Sequence, residues 1–290
     1  MRCEPLSPVL GAEVHGVNVA SLSDNDFNEI RTHWNAAGGL LVVRDQQLSP
    51  QQQTDFSRRF GALFGEADFF QDSVKPFLHP DFPTIYRVSN KKSDAGDALG
   101  RARAGSYWHS DVSFRQHPAM ASLLYGIEIP AAGGDTLFAS QTAAFAALSQ
   151  AMQDLLCTLT AVHDFRVAAR SSGSYAAADV NVNDFDGQNQ FVHPVVIEHP
   201  ETAQPALFVN AGFTSHLQGF SAQESQLLLE FLYEHSTRPE FCYRHRWQAN
   251  DLVIWDNRAT QHLAIQDYSA DRYLHRSTVL ADSPVAYARR

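Results

Sequence analysis

The chain has 290 residues, and 44% of them are hydrophobic, which allows a substantial buried core. Its net charge of −10 argues against nucleic acid or an anionic membrane surface as the main partner, because both bind basic faces. The three cysteines, Cys3, Cys157 and Cys242, are scattered and odd in number, as expected for a cytoplasmic protein without a disulfide framework. No membrane-spanning apolar run and no signal-peptide layout is present, which favours the same compartment.

The N-terminal third predicts short strands alternating with two capped helices. Residues 9–20 are interpreted as a strand pair, after which Ser23 caps a helix from about residue 24 to 38. The apolar run 40–44 predicts a strand. Proline directly after Ser49 then indicates a second helix, which Gly61 ends.

Short strands dominate the rest of the chain. They are predicted at 109–114, 120–129, 136–139, 192–199, 206–210, 241–247, 252–255 and 272–280, with helices at about 141–156 and 221–235. This order favours a mainly β fold with helical decoration, a double-stranded β-helix (cupin-like jelly roll), as one domain over 1–290. The irregular segments 62–107 and 171–190 are expected to be loops that cover a pocket.

The stretch SYWHSDVSF places His109 and Asp111 two positions apart. In a strand both side chains would share one face, as in a metal-ligand pair; a hydrogen-bonded structural pair is the alternative. With thirteen histidines, a chance H-x-D is expected about once. A second one, His79-Pro80-Asp81, has proline and turn-like flanks and is interpreted as structural.

Later segments offer partners for this pair. Gly133-Gly134 permits a tight turn before Thr136, and the strand 252–255 leads into a turn that carries His262. The strand 272–280 places Arg272 and Arg276 on one face, although a solvated edge strand would have the same pattern.

Two histidines and a carboxylate with open metal positions are typical of non-haem Fe(II) sites, and zinc accepts the same ligands. The arginines favour iron, because 2-oxoglutarate presents a distal carboxylate that suits a guanidinium plus a hydroxyl, here Arg272 and Thr136. A zinc hydrolase would need a general base near the metal, and no such motif stands out.

The chain resembles the taurine dioxygenase family of Fe(II)/2-oxoglutarate dioxygenases, which includes alkylsulfatases and phenoxyalkanoate dioxygenases. The resemblance extends from about residue 8 to 285 through LGAEVHGV, WHSDVSF, GGDTLF, HPVV, LFVN, WDNR, QH and HRST. It implies that His109, Asp111 and His262 bind iron and that Thr136 and Arg272 hold 2-oxoglutarate. It also implies that Arg276 faces an acidic group of the substrate, with the 2-oxoglutarate and substrate roles of the two arginines open to exchange.

The chain departs from taurine-specific members near the substrate. Gly105 replaces an asparagine, and the segment 62–70 lacks the histidine and tyrosine of those members. Val112 and Phe114 match the family's pocket wall, although core packing explains them equally well. The resemblance therefore predicts a small anionic substrate, such as a sulfonate, sulfate ester, aryl or alkyl carboxylic acid or modified amino acid, rather than taurine. Alternatively, Arg276 pairs with a protein carboxylate.

The implied reaction uses O₂ and 2-oxoglutarate, releases succinate and CO₂, and hydroxylates the substrate, with bond cleavage where the new hydroxyl adjoins a heteroatom. Two alternatives remain open: a metal-dependent hydrolase or cupin isomerase on the same barrel, and a non-catalytic binding protein. A homo-oligomer, dimer or tetramer, is compatible with the sequence.

Overall fold

The computed structural model describes residues 1–66, 74–171 and 189–288, with the backbone alone at 169–171. The strands are β1 (Arg2–Pro5), β2 (Ala12–His15), β3 (Leu40–Val43), β4 (Ile85–Ser89), β5 (Ala119–Glu128), β6 (Thr136–Ser140), β7 (Thr160–Asp164), β8 (Gln190–Pro194), β9 (Val196–Glu198), β10 (Pro205–Leu207), β11 (Thr214–Leu217), β12 (Cys242–His245), β13 (Leu252–Asp256), β14 (Thr260–Ala264) and β15 (Tyr273–Leu280). The α-helices are α1 (Asp24–Ala36), α2 (Pro50–Arg58), α3 (Gln141–Ala146), α4 (Gln150–Leu156), α5 (Phe165–Ser171) and α6 (Ala222–Ser236). None of the described helices is long and apolar enough to cross a membrane.

A seven-stranded sheet, here called the major sheet, has the order β1-β2-β3-β13-β5-β15-β4. Its neighbouring strands pair antiparallel except β2 and β3. Smaller sheets have the orders β12-β6-β14, β11-β7-β8 and β10-β9. This mainly β architecture with helical decoration agrees with the predicted jelly-roll class, although the sheets do not close into a barrel.

Successive side chains of a strand point to opposite faces of the sheet, and on the central strands of the major sheet both faces are buried. One face packs against α1 and α2, through Leu41, Val43, Leu123, Tyr125, Leu252 and Ile254. The other face carries Leu124, Trp255 and Leu274, and it packs against Phe138 of β6. The space between the major sheet and β12-β6-β14 is where the candidate site residues meet.

Three helices begin at a serine N-cap, as predicted for Ser23. Ser23, Ser49 and Ser221 each accept a hydrogen bond from the third helical backbone N–H, within a complete capping box. The predicted helix 141–156 is wrong as one element, because the chain leaves the helix after Ala146. Ser149 then caps a separate helix, α4.

The predicted strand 109–114 is also wrong. His109 forms an isolated bridge with His262, and the chain then turns, with Arg115 N–H bonding to the Val112 carbonyl. Val112 has φ +57°, a left-handed value that a β-branched residue rarely adopts and that a strand cannot contain. His109 and Asp111 therefore do not share a face through strand alternation.

Several other boundaries differ from the predictions. The segment 9–20 is not a strand pair: β2 pairs instead with β1, and a short 3₁₀ helix follows. The predicted strands do not include β1, β4, β7, β11 or β14, and β4 lies inside the segment expected to be irregular. Of the two expected pocket loops, residues 67–73 and 172–188 lie outside the described residues.

The turn after β13 is built on a buried ion pair. Both Asp256 oxygens accept from Arg258, at 2.9 and 2.6 Å, and His199 Nε2 lies 2.9 Å from Asp256 Oδ2. Arg258 also donates to Glu201 at 3.0 Å. Burial would raise the pKa of Asp256, but Arg258 and His199 hold it well below its ordinary value. This turn therefore depends on charge compensation.

We expect Arg258→Ala to lower the free energy of unfolding by about 3–5 kcal/mol, because it leaves Asp256 buried without its main cation. Urea unfolding at neutral pH measures the loss. Arg238→Ala is the control, since its pair with Glu240 is exposed and its removal should change little. Equal losses in the two variants would contradict the role of the buried pair.

The same network predicts a pH dependence. Burial alone would raise the pKa of Glu201, but hydrogen bonds from an asparagine and two arginines lower it to about 2. A lowered pKa stabilises the fold above the ordinary value of 4.5, and this stabilisation is lost as the pH falls towards 2. Arg258→Ala should therefore show a shallower loss of stability than the wild type across that range.

Candidate metal centre

His109 and His262 are brought together by their own backbones. Each donates its N–H to the other's carbonyl, at 3.1 and 2.9 Å, so that the loop before Asp111 is bound to β14. The two imidazole centroids lie 4.1 Å apart. The sequence pattern predicts His262 in a turn, but the residue lies in β14, a strand that pairs with β6.

Asp111 completes the group from the turn that follows His109. Its Oδ1 lies 3.6 Å from His109 Nε2, and its Oδ2 lies 3.8 Å from His262 Nε2. One ligand atom from each residue falls within 4.8 Å of the others, and all three residues are buried. Within the described ranges this is the one cluster of at least three histidine, cysteine or acidic residues with that geometry.

The protonation of these groups suits metal binding. Burial alone would raise the pKa of Asp111, but Arg276, His262 and His109 outweigh it and hold that pKa well below the ordinary value. Burial and the neighbouring His109 hold the pKa of His262 well below its ordinary value. A carboxylate and a neutral imidazole are the forms that coordinate a cation.

The orientation of His109 leaves one nitrogen for a metal. Its Nδ1 lies 2.8 Å from the Tyr107 carbonyl, which can only accept, so the proton belongs on Nδ1 and the Nε2 lone pair is free. The ring of His262 packs beside Trp255 and Phe138, with centroids 4.7 and 6.1 Å away. These contacts fit a divalent cation held by two imidazoles and one carboxylate.

Arg272 is a candidate for holding an anion near the metal cluster. It is 2% exposed, and within the described residues its Nε has no hydrogen-bond partner. Burial lowers its pKa from the ordinary value, and Tyr268 and Asp135 offset part of this. Thr136 lies on the neighbouring sheet, where its hydroxyl accepts from Trp247 Nε1 at 3.0 Å. A buried guanidinium with an unused donor fits a bound carboxylate.

Trp247 and Tyr268 were not singled out from the sequence. The Arg272 guanidinium carbon lies 5.8 Å from the Trp247 ring centroid and 5.6 Å from that of Tyr268. Trp247 therefore connects Thr136 with Arg272. A buried arginine often packs against an aromatic ring, but nothing in the sequence indicates which aromatic residue lies beside Arg272.

Arg276 pairs with the metal cluster itself. Its Nη1 donates to Asp111 Oδ1 at 2.8 Å, which is the protein-carboxylate pairing that the sequence left as an alternative. Its guanidinium carbon lies 5.1 Å from the Tyr86 ring centroid, and its Nε is buried without a partner among the described residues. Arg276 thus has one charged contact and one unused donor.

The remaining residues predicted to contact substrate lie beside His109. Phe114 and Val112 belong to an apolar cluster with Phe213, whose ring centroid is 5.9 Å from that of His109. Gly105 packs on the imidazole, since a Cβ built there would lie 2.8 Å from His109 Cε1. Its φ of +71° also favours glycine.

The competing motif at His79 forms no such group. Its Nδ1 accepts from the Asp81 backbone N–H at 3.2 Å, and its ring lies 5.5 Å from that of His275. Asp81 is exposed. The structural interpretation of this motif agrees with the described geometry.

Comparisons with known proteins agree with the site. The family model described as "Taurine catabolism dioxygenase TauD, TfdA family" matches residues 2–278. The alpha-ketoglutarate-dependent 2,4-dichlorophenoxyacetate dioxygenase of Cupriavidus pinatubonensis is 35% identical, over 97% of this chain and 98% of that protein. An alkylsulfatase of Acinetobacter baylyi is 32% identical, over 97% of this chain and 85% of its own. A solved taurine dioxygenase from Burkholderia xenovorans has a TM-score of 0.79 and 33% identity, over 98% of this chain and 91% of that one.

The contact of Gly105 with His109 predicts a specific defect. Gly105→Ala should weaken Mn(II) binding, because the new methyl group displaces the imidazole. Gly96→Ala is the matched control: its φ is +88°, so it carries similar backbone strain, but a Cβ there would have no neighbour within 4 Å in the described part of the chain. Both variants should lose about 1–2 kcal/mol of stability. A titration of Mn(II) by electron paramagnetic resonance should separate them, and equal affinities would contradict the prediction.

Proposed function

The chain belongs to the TauD/TfdA family of 2-oxoglutarate-dependent dioxygenases, and we propose that it uses Fe(II) and O₂ to oxidise a small anionic organic molecule. The observation that carries this proposal is the buried group of His109, Asp111 and His262, together with the buried Nε of Arg272, which has no hydrogen-bond partner among the described residues. The family match over residues 2–278 favours this function over a hydrolase or an isomerase on the same fold.

His109, Asp111 and His262 would hold the iron through Nε2, one carboxylate oxygen and Nε2. Three ligands leave the remaining positions for 2-oxoglutarate and O₂. When bound, the iron supplies the oxidising chemistry in which 2-oxoglutarate loses CO₂ to become succinate and the substrate gains an oxygen atom. The Tyr107 carbonyl, which accepts from His109 Nδ1–H, keeps that ring oriented towards the metal.

Arg272 and Thr136 would hold the distal carboxylate of 2-oxoglutarate. The guanidinium is buried, and its Nε has no partner in the part of the chain that the structure describes, so an incoming carboxylate would accept a charge-assisted hydrogen bond from it. Trp247 and Tyr268 pack beside the guanidinium and keep water from competing for it.

Arg276 would contact the anionic group of the substrate. Its Nη1 donates to Asp111, while its Nε has no partner within residues 1–66, 74–171 and 189–288, so Arg276 can bind a second anion without releasing Asp111. Extended strand geometry separates the Cα atoms of Arg272 and Arg276 by about 13 Å, too far for both to hold one small carboxylate. The descriptions of the relatives name a phenoxyacetate, an alkyl sulfate and taurine, all of which carry an acidic group.

The wall beside His109 favours a substrate larger or more apolar than taurine. Phe114, Phe213 and Val112 form an apolar surface there, and Gly105 offers no polar side chain. An aryl or alkyl acid, a sulfate ester or a modified amino acid fits such a wall. Hydroxylation is the expected outcome, followed by cleavage where the hydroxylated carbon bears a heteroatom.

We further propose that residues 1–290 act as one domain in the cytoplasm. All three cysteines are unpaired, which agrees with a reducing compartment. The segments 62–107 and 171–190 are proposed to cover the substrate.

His109→Ala should abolish succinate release from 2-oxoglutarate in the presence of Fe(II), O₂ and a substrate acid. The reason is the loss of one of three metal ligands. His79→Ala is the control, because that histidine lies in the other H-x-D motif and should leave turnover unchanged. Turnover at the wild-type rate by His109→Ala would refute the ligand assignment.

Arg272→Ala should raise the KM for 2-oxoglutarate by at least about tenfold, since a lost charge-assisted contact costs about 1.5–3 kcal/mol. The KM for the organic substrate should change much less. The measurement is initial-rate kinetics with each substrate varied in turn. If Arg276→Ala had this effect and Arg272→Ala did not, the roles of the two arginines would be exchanged.

Arg276→Ala should raise the KM for an anionic substrate and leave that for 2-oxoglutarate near the wild-type value. A panel of carboxylates, sulfonates, sulfate esters and neutral analogues, followed by coupled succinate release, measures the preference. Efficient coupling to taurine, or to a neutral compound with equal rates in Arg276→Ala, would contradict the proposed substrate class.

A further inference from the structure

A closed set of hydrogen bonds holds Asp111 from the side of the major sheet. We propose that Asn257 and Ser122 are positioning residues that fix the orientation of the Asp111 carboxylate towards the metal. This inference rests on the proposed function, since it takes Asp111 to be a metal ligand.

The hydrogen bonds form a ring that begins and ends at Asp111. Asn257 Oδ1 accepts from the Asp111 backbone N–H at 3.0 Å, and Asn257 Nδ2 donates to Ser122 Oγ at 3.1 Å. The Ser122 hydroxyl then donates to Asp111 Oδ2 at 2.6 Å. Exposure is 1% for Asn257, 0% for Ser122 and 4% for Asp111, so water does not compete for these groups.

The ring has one direction, because a serine hydroxyl has a single proton to donate. Ser122 accepts from Asn257, and its own proton is therefore directed at Asp111 Oδ2. One lone pair of Oδ2 is thereby occupied, while Arg276 contacts Oδ1 from another side. The carboxylate is held at both oxygens, and its rotation about the Cβ–Cγ bond is blocked.

The backbone at Asp111 needs this support. Val112, the next residue, has φ +57°, which is unfavourable for a β-branched side chain and is retained only where surrounding contacts enforce it. The hydrogen bond from the Asp111 N–H to Asn257 acts directly beside this residue. It keeps the turn in the form that directs Asp111 towards the two histidines.

Asn257 also reaches the third ligand. Its Oδ1 accepts a second hydrogen bond from Trp255 Nε1 at 3.1 Å, and the Trp255 ring packs 4.7 Å from that of His262. One side-chain amide therefore links Asp111 to the aromatic residue that supports His262. The adjoining Asp256–Arg258 ion pair fixes the turn that carries this amide.

Ser122→Ala tests the proposal with Mn(II) alone, added anaerobically to the full chain and followed by electron paramagnetic resonance. We expect the Mn(II) dissociation constant to rise about 10- to 100-fold, the usual effect of removing a partner of a metal ligand. The line shape of bound Mn(II) should also change, since the carboxylate gains freedom to rotate.

Ser57→Ala is the matched control. Ser57 is also 0% exposed, and its hydroxyl bonds to the Gln53 carbonyl at 2.7 Å and to Ser277 Oγ at 2.6 Å, away from the metal ligands. It should lose comparable thermal stability and keep wild-type Mn(II) affinity and line shape. Asn257→Ala should behave as Ser122→Ala does wherever it folds.

Two failures are distinguishable. If Ser122→Ala binds Mn(II) as tightly as Ser57→Ala with the same line shape, the positioning role is wrong while the metal site stands. If the wild type does not bind Mn(II), or binds it equally well after His109→Ala, the metal site itself is wrong and the positioning role is wrong with it.

Discussion

The burial of the Asp111 carboxylate is the constraint on which the other site contacts depend. It is 4% exposed, and a buried charge without compensation is strongly unfavourable. Arg276, His109 and His262 surround it, while Ser122 donates to it from behind. These groups come from four separate parts of the chain, so the charge is stabilised only when the major sheet and β12-β6-β14 are assembled.

The residues of this site could be predicted from the sequence, but the geometry that joins them could not. The sequence pattern predicts His109 and Asp111 on one face of a strand, whereas a turn at Val112 brings them together. Its φ of +57° could not be predicted from the sequence, because valine rarely adopts the left-handed conformation. Short-range propensity favours a strand over WHSDVSF, and the tertiary bridge to β14 overrides it.

Residue patterns predict some strands of this fold and miss others. The buried strand β13 is apolar from Leu252 to Trp255, and this run predicts a strand, whereas β14 (TQHLA) is rich in polar residues and gives no such signal. Its Gln261 is 2% exposed, and the amide donates to Gln141 and to the Val209 carbonyl. A polar residue whose hydrogen-bond partners are distant in the sequence is easily predicted to be solvent-exposed when it is in fact buried. The same applies to Asn257 and Ser122.

Arg272, which directly precedes β15, and Arg276 within it differ in their surroundings although they are only four residues apart. The Arg272 guanidinium carbon lies 5.8 Å from the Trp247 ring centroid, and that of Arg276 lies 5.1 Å from the Tyr86 ring centroid. Both aromatic residues belong to the apolar cluster that contains Leu274. Arg272 is isolated from acidic hydrogen-bond partners in the described part of the chain, whereas Arg276 is bound to Asp111. Their different surroundings, rather than their residue type, support separate roles.

Diffraction from crystals grown anaerobically with Mn(II) and 2-oxoglutarate tests the central claim most directly, because anomalous scattering locates the metal without reference to activity. The account predicts one anomalous peak within bonding distance of His109 Nε2, an Asp111 oxygen and His262 Nε2, with the distal carboxylate of 2-oxoglutarate on Arg272 and Thr136. A peak elsewhere, or 2-oxoglutarate bound through Arg276 instead, would contradict it.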